Sequence, residues 1–275
     1  MRTLDFLARL HETLAPPTYL EIGVRYGDSL IHSRSPAAIA IDPVLKLRHP
    51  VPEGAVLFEE TSDAFFAREQ PLETFGGRPA HLTLIDGMHL SEHALRDFVN
   101  VERHSHWTGV VAVDDVLPRT VEEASRERAT TGWTGDVYKL MGLLSAHRPD
   151  LVQLVIGTRP TGLLLVLGLD PANDVLDRRF EQLAREAVVP DPQRVPAELL
   201  ERRGALDPEW VLAASFWATL RSARDAAVSQ VDGAGELRAA IEAELRGARR
   251  VRDRSRALPR YGRYLRRAAG RVGSG

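Results

Sequence analysis

The feature that most constrains this chain is an alternation. Apolar runs of about five residues, Thr18–Ile22, Ala38–Ile41, His81–Ile85 and Val110–Val113, recur between longer amphipathic stretches. Uninterrupted apolar runs of that length read as strands buried on both faces. The intervening Ser29–Ser33, Thr61–Glu69 and Ser91–Glu102 suit helices. In the last of these Ser91 is the expected N-cap, and Leu95, Phe98, Val99 and Val101 follow near helical spacing. Strands that alternate with helices require right-handed crossovers and therefore a parallel sheet.

Beyond Val113 the pattern changes. Thr134–His147 reads as a helix. Leu151–Ile156 and Leu163–Leu169 flank the turn-rich segment 157–162 and read as an antiparallel hairpin at the sheet edge. From about Pro171 no strand pattern remains. Asp207-Pro208-Glu209 is a helix start, with an acidic cap and proline in the first turn. Trp210, Ala213, Ala214, Trp217 and Leu220 share one face, Gly233 and Gly235 interrupt, and Leu237, Ile241 and Leu245 begin another helix. The segment 246–271 is rich in arginine. The expected fold is α/β: a Rossmann-like, doubly wound, mostly parallel sheet with an antiparallel edge hairpin. It occupies 1–171 and is followed by a helical C-terminal extension over 172–275.

Composition removes several classes of function. There are no cysteines, which excludes disulfides, Cys-ligated zinc, iron–sulfur clusters and thiolate nucleophiles. A metal would be held by oxygen or imidazole, which favours Mg, Ca or Mn. Acids (38) offset Lys plus Arg (36), so no nucleic-acid partner is expected and the Arg-rich end reads as a solvated tail. The opening MRTLDFLARLHETLAPP has charges throughout and no apolar signal core, and Arg159-Pro160-Thr161-Gly162 breaks the most apolar stretch, Leu151–Leu169. The expectation is a cytoplasmic protein with no membrane partner. Lys46 and Lys139 are the only lysines among the basic residues, a bias that suggests bacterial, GC-rich coding.

The turn after the first run reads Glu21-x-Gly23-x-x-x-Gly27-x-Ser29, and Asp42 closes the second run in AIAIDP. Glycine there tolerates positive φ and close approach of a ligand to the backbone. The spacing is not the dinucleotide Gly-x-Gly-x-x-Gly, and Glu21 would repel a pyrophosphate but suits a cationic group. A carboxylate at the position of Asp42 can accept hydrogen bonds from ribose hydroxyls. The plainer alternative is a tight turn followed by a capping aspartate.

These residues resemble the first two motifs of class I S-adenosylmethionine-dependent methyltransferases. The resemblance implies that the turn (Glu21, Gly23, Tyr26, Gly27 and Ser29) holds the methionine part of that cofactor. It implies that Asp42 holds the ribose, and that Ser62 and Asp63 lie near the adenine.

Asp86 follows the third run in LIDGMHLSEH, and Asp114 and Asp115 follow the fourth in VVAVDDVLP. Two readings stand for the three carboxylates: a divalent-cation site, or caps of the following turns. The combination resembles the metal-dependent small-molecule O-methyltransferases that act on sugar hydroxyls, and the catechol-type enzymes more distantly. That resemblance implies Mg2+ bound by Asp86, Asp114 and Asp115, with a hydroxylated small molecule of natural-product type as methyl acceptor. The sugar enzymes commonly carry Asp-Gly-Asp-His; Met88 replaces the second aspartate here. His89 then becomes the candidate base beside Asp86, or else a residue hydrogen-bonded to the metal carboxylates. Trp133 and Tyr138 either stack on the acceptor or pack the core. Two further readings stay open, a non-catalytic or repurposed metal-binding relative and a nicotinamide-dependent oxidoreductase, and both monomer and homodimer suit the sequence.

Overall fold

The structure, a computed structural model, describes residues 1–248 and 250. Its centre is one seven-stranded sheet: β1 (Thr18–Ile22), β2 (Ala37–Ile41), β3 (Ala55–Phe58), β4 (Ala80–Ile85), β5 (Ser105–Asp114), β6 (Val152–Ile156) and β7 (Leu163–Leu167), in the order β3-β2-β1-β4-β5-β7-β6. The first five run parallel, and β7 lies antiparallel between β5 and β6. The expected mixed sheet with its edge hairpin is therefore the observed one. Among the described residues no helix is long and apolar enough to cross a membrane.

The strands are apolar on both faces because helices cover both. These are α1 (Thr3–Leu14), α2 (Ser62–Phe66), α3 (Ser91–Arg103), α4 (Lys139–His147), α5 (Val175–Arg178), α6 (Phe180–Ala187), α7 (Ala197–Leu200), α8 (Pro208–Leu212), α9 (Phe216–Asp225) and α10 (Gln230–Leu245). Leu20, Val111 and Val113 point into a core with Phe98 of α3, Leu144 of α4 and Leu183 of α6. Their neighbours Tyr19, Val110 and Ala112 point into a second core with Phe6 of α1, Trp217 of α9 and Ile241 of α10. That alternation is the period of a strand, and each such buried aliphatic or aromatic side chain contributes roughly 1.5–3 kcal/mol. Helices α8–α10, together with α1, thus cover one face of the sheet, and α3, α4 and α6 cover the other.

Several elements differ from the expectation. The crossover after β1 holds only a 3-10 turn, Leu30–His32, where a helix over Ser29–Ser33 was expected; Ser33, Ser35 and Pro36 follow at once and leave no room for a second turn. The edge strand β3 is short and half-exposed, so it lacks the apolar run that marks its neighbours. Ser91 is the first residue of α3 and not its cap; its N–H donates to the remote Asp136 carboxylate at 2.8 Å. Helix α4 begins at Lys139, because Gly135 and Asp136 shape a turn before it. The apolar face from Trp210 to Leu220 is divided between α8 and α9. Gly233 and Gly235 do not interrupt: α10 runs through both, and the missing side chain of Gly233 makes room for the Trp107 ring. The Arg-rich end lies almost wholly outside the described residues.

Candidate functional site

Register builds the site. Ile41, Ile22, Ile85 and Val113 lie side by side across β2, β1, β4 and β5. One step further, Asp42, Gly23, Asp86 and Asp114 share the carboxyl rim of the sheet, where open α/β sheets bind ligands. Four chain segments far apart in sequence therefore deliver three carboxylates and one glycine to a single row. Gly23 has φ +95°, and a Cβ there would overlap the backbone carbonyl of Asp86. The absent side chain lets the end of β1 press against the end of β4.

Asp86 and Asp114 are both held well above the usual carboxylate range, by loss of water in the cleft first and then by neighbouring carboxylates. Asp115 adopts φ +63° and His89 φ +53°, conformations disfavoured for residues with a side chain. These two strained turns bring the side chains together: His89 Nδ1 lies 2.8 Å from Asp115 Oδ2, and Nε2 lies 3.7 Å from Asp86 Oδ1. One ligand atom each from Asp86, His89 and Asp115 fits within a 4.8 Å span, a set able to hold a metal ion. The sequence-derived trio is thus rearranged. Asp86 and Asp115 converge with His89, whereas Asp114 Oδ1 accepts the Asp115 N–H at 2.9 Å. Both imidazole nitrogens face carboxylates, so His89 is placed as a ligand or charge partner better than as a free base.

The turn that follows β1 is built differently from a plain cradle. Glu21 is fully buried; it accepts a hydrogen bond from Tyr19 Oη at 2.7 Å and a short one from the Ser29 hydroxyl. Burial pushes its carboxyl up to about 7, against those two hydrogen bonds. Asp42 accepts the N–H groups of Arg25 (2.9 Å) and Val44 (2.7 Å). The segment after β2 lies along the turn: Lys46 N donates to Arg25 O at 2.7 Å, Arg48 N donates to Tyr26 O at 2.9 Å, and the Arg48 guanidinium covers the Tyr26 ring at 3.7 Å. A Cβ on Gly27 would meet Leu47 at 3.1 Å. Glu21 and Ser29 therefore bond to each other, and Tyr26 and Asp42 bond to their own chain.

Beside the acidic rim lies a small cleft, with room for about one water, lined by Ile85, Gly87, Ala94, Asp97 and Val137 together with Asp86, Met88, His89 and Asp114. Asp97, on the inner face of α3, is a residue that motif reading passed over. It is 4 % exposed, its Oδ1 accepts the Ser62 hydroxyl at 2.6 Å, and burial pushes its carboxyl up to about 7. Its Oδ2 lies 3.5 Å from where a Cβ of Gly87 would stand, and no protein donor reaches that oxygen among the described residues. The signal in the sequence is spacing, because Asp97 falls three residues after Ala94 and four before Val101, on the buried stripe of the helix. Asp63 is exposed on α2.

One wall of the cleft is the segment between β5 and α4. Fully buried Asp136 fixes it, accepting from Arg126 Nη1, Lys139 Nζ and the Ser91 N–H, each at 2.8 Å. Glu92 also takes Arg126. Gly135 lies so close to His89 that a Cβ would overlap the His89 carbonyl. Trp133 donates to Ser125 O at 2.6 Å and sits 5.3 Å from the His89 ring, while Tyr138 is buried in the core.

No family model and no curated protein matches the sequence. Solved structures do resemble it. The O-methyltransferase from Bacillus cereus in complex with SAH shares 17 % identity over 60 % of this chain and 80 % of its own, with a TM-score of 0.44. TomG from Streptomyces achromogenes, an O-methyltransferase of tomaymycin synthesis in complex with SAM, shares 18 % over 61 % and 79 % at 0.44. SAH-bound methyltransferase PaMTH1 from Podospora anserina shares 13 % over 61 % and 78 % at 0.45. The likeness is one of fold. At these values it carries no weight for function.

The side chains fit cations. Among the described residues, the ion pairs of Glu21, Asp42, Asp86, Asp114 and Asp115 include no Arg or Lys, only His89. Carboxylates crowded in this way need positive charge from outside the protein, or protons. A divalent ion suits Asp86, His89 and Asp115. A sulfonium suits the same negative rim.

Proposed function

We propose that this protein is an S-adenosylmethionine-dependent O-methyltransferase, assisted by Mg2+, that acts on a hydroxyl of a small molecule. The observation that supports it most is the row of rim carboxylates, none of them in an ion pair with Arg or Lys among the described residues: both the sulfonium donor and the metal are cations. In this reading Asp86, His89 and Asp115 would hold the metal ion, which when bound lowers the pKa of a coordinated hydroxyl. The methyl group would pass in line from the sulfonium sulfur to the acceptor oxygen, the C–S bond breaking to leave neutral S-adenosylhomocysteine and the hydroxyl proton passing to water. The chain's own contribution is positioning. Asp115 fixes the His89 ring through Nδ1, Asp136 holds the wall that carries Gly135 against His89, and Gly23 sets the end of β1 against Asp86. Glu21 and Asp42 lend negative charge to the donor side while their hydrogen bonds keep the turn in shape.

The acceptor wall is apolar or aromatic near His89: Met88, 58 % exposed, stands at the mouth and Trp133 faces the imidazole. Titration calorimetry with S-adenosylmethionine in Mg2+, in EDTA, and with NAD as control tests the reading. Binding of S-adenosylmethionine with no binding of NAD is expected. Binding of NAD alone would favour an oxidoreductase, and binding of neither would remove the donor. Metal is tested separately by the change in tryptophan fluorescence on adding Mn2+ to the apo protein, with Trp133→Phe to identify the part of the change that comes from Trp133 among the four tryptophans.

A further inference from the structure

We propose that His81 and His106 form an acid-sensitive latch that holds the end of α9 against the amino ends of β4 and β5. The inference is independent of the donor and metal readings. Each histidine is the second residue of its strand, so the pair lies at the opposite end of the sheet from the carboxyl rim.

The two rings stack, with centroids 5.0 Å apart and planes 18° from parallel. Hydrogen bonding assigns the protons. The Thr18 hydroxyl donates to the Pro79 carbonyl at 2.7 Å, so in its 2.8 Å contact with His81 it accepts from Nδ1. His106 is the reverse: its Nδ1 accepts the Thr108 N–H at 3.2 Å and so carries no proton. Charging His106 puts a proton on Nδ1 and breaks that bond. Charging His81 sets a positive ring against its stacked neighbour. Cations close in from the other elements: Arg224 of α9 faces both rings, and Arg78, just before β4, faces His81. The acid that faces His81 is Asp225, whose carboxylate already accepts from Arg224 Nε at 2.8 Å. Burial first, and then the neighbouring imidazole and guanidinium groups, push His81 down to about 4; burial and Arg224 push His106 down too.

The pair lies under the junction of α9 with α10. Arg224 Nη1 donates to the carbonyls of Leu14 (2.8 Å) and Ala15 (3.2 Å) at the end of α1. Trp107, next to His106, donates from Nε1 to the Val228 carbonyl at 3.0 Å. These bonds fix Arg224 beside the rings, so positive charge on the rings acts on this end of α9 first. The folded value for His81 lies below the ordinary 6.5. The latch is therefore fully held above about 6.5 and is lost as pH falls toward about 4.

The test is amide exchange on the full chain at pH 7.5 and pH 5, corrected for the intrinsic rate, in wild type and in the double variant His81→Asn, His106→Asn. Asparagine offers an N–H where His81 donates and an oxygen where His106 accepts, and it cannot charge. Proton uptake at His81 on opening should raise the opening constant by about tenfold at pH 5, so wild-type protection over 220–230 should fall by that factor relative to α3. In the double variant the fall should be less than about threefold. Imidazole titration by NMR serves if the double variant does not fold: both rings should stay mostly uncharged in native wild type at pH 5. A wild-type fall of less than about threefold overturns the proposal, as does an equal fall in the folded double variant. So does either ring titrating at 6.5 or above in the native protein.

Discussion

At the scale of single residues, charge balance decides what the site can do. Removing His89 takes away the imidazole that lies between Asp86 and Asp115. His89→Ala should weaken Mn2+ binding at least tenfold, read by tryptophan fluorescence, since metal ligands are chosen by type and number; unchanged affinity would return His89 to a role outside the metal set. Glu21 gives a second prediction through pH. Its carboxyl is raised from an ordinary 4.5 to about 7 in the folded chain, so the native state holds a proton that the unfolded state has lost between those values. Stability contributed by Glu21 is therefore greatest below about 4.5 and falls as pH rises through about 7. Glu21→Gln, which keeps size and hydrogen bonding but cannot ionise, should raise the melting temperature at pH 8 more than at pH 5. An equal shift at both values would show that ionisation of Glu21 is not what destabilises the native state. Glu21, Asp42, Asp86 and Asp114–Asp115 were legible in the sequence because carboxylates at strand ends are conspicuous. The pairing of His89 with Asp115 was not, because it depends on two positive-φ residues that no spacing rule anticipates.

At the scale of elements, the segment between β5 and α4 is tied to α3 and α4 through a buried carboxylate. Asp136 serves two cations and the first N–H of α3 while fully buried. Asp136→Ala strands them, and losing one partner of a buried ionic set costs about 3–5 kcal/mol. Chemical denaturation should show that loss, and amide exchange over 116–138 should rise most. A variant within about 0.5 kcal/mol of wild type would mean that the segment is anchored elsewhere. Sequence reading placed most elements correctly where an apolar run or a cap dictated them. It failed at β3, which is half-exposed at the edge, and at the crossover after β1, where Ser and Pro stop a helix after one 3-10 turn. It missed Asp97 and Asp136 because each is a lone acid whose burial comes from contacts 35 and 45 residues away.

At the scale of the whole molecule, the two faces of the sheet are covered by different parts of the chain. The sequence suggested a methyltransferase portion over 1–171 with an appended helical part. Helices α8–α10 lie in the same core as β5, β6 and β7, with Phe216, Trp217 and Ile241 fully or almost fully buried. Ending the chain at 171 would expose that sheet face, an apolar patch far larger than a soluble monomer tolerates. The fragment should aggregate or lack a cooperative melting transition. A fragment 1–171 that melts cooperatively as a monomer would show that the C-terminal helices are dispensable.

The contact between Gly23 and the Asp86 carbonyl fixes one more property. It leaves no gap between the turn proposed for the donor and the acid proposed for the metal, so those two grips move as a single jaw. Mutations of side chains around either should leave that backbone contact, and so the spacing of the two proposed grips, unchanged. Enlarging the range of acceptors should therefore be achieved at the side chains of Met88 and Trp133, which take no part in that backbone contact.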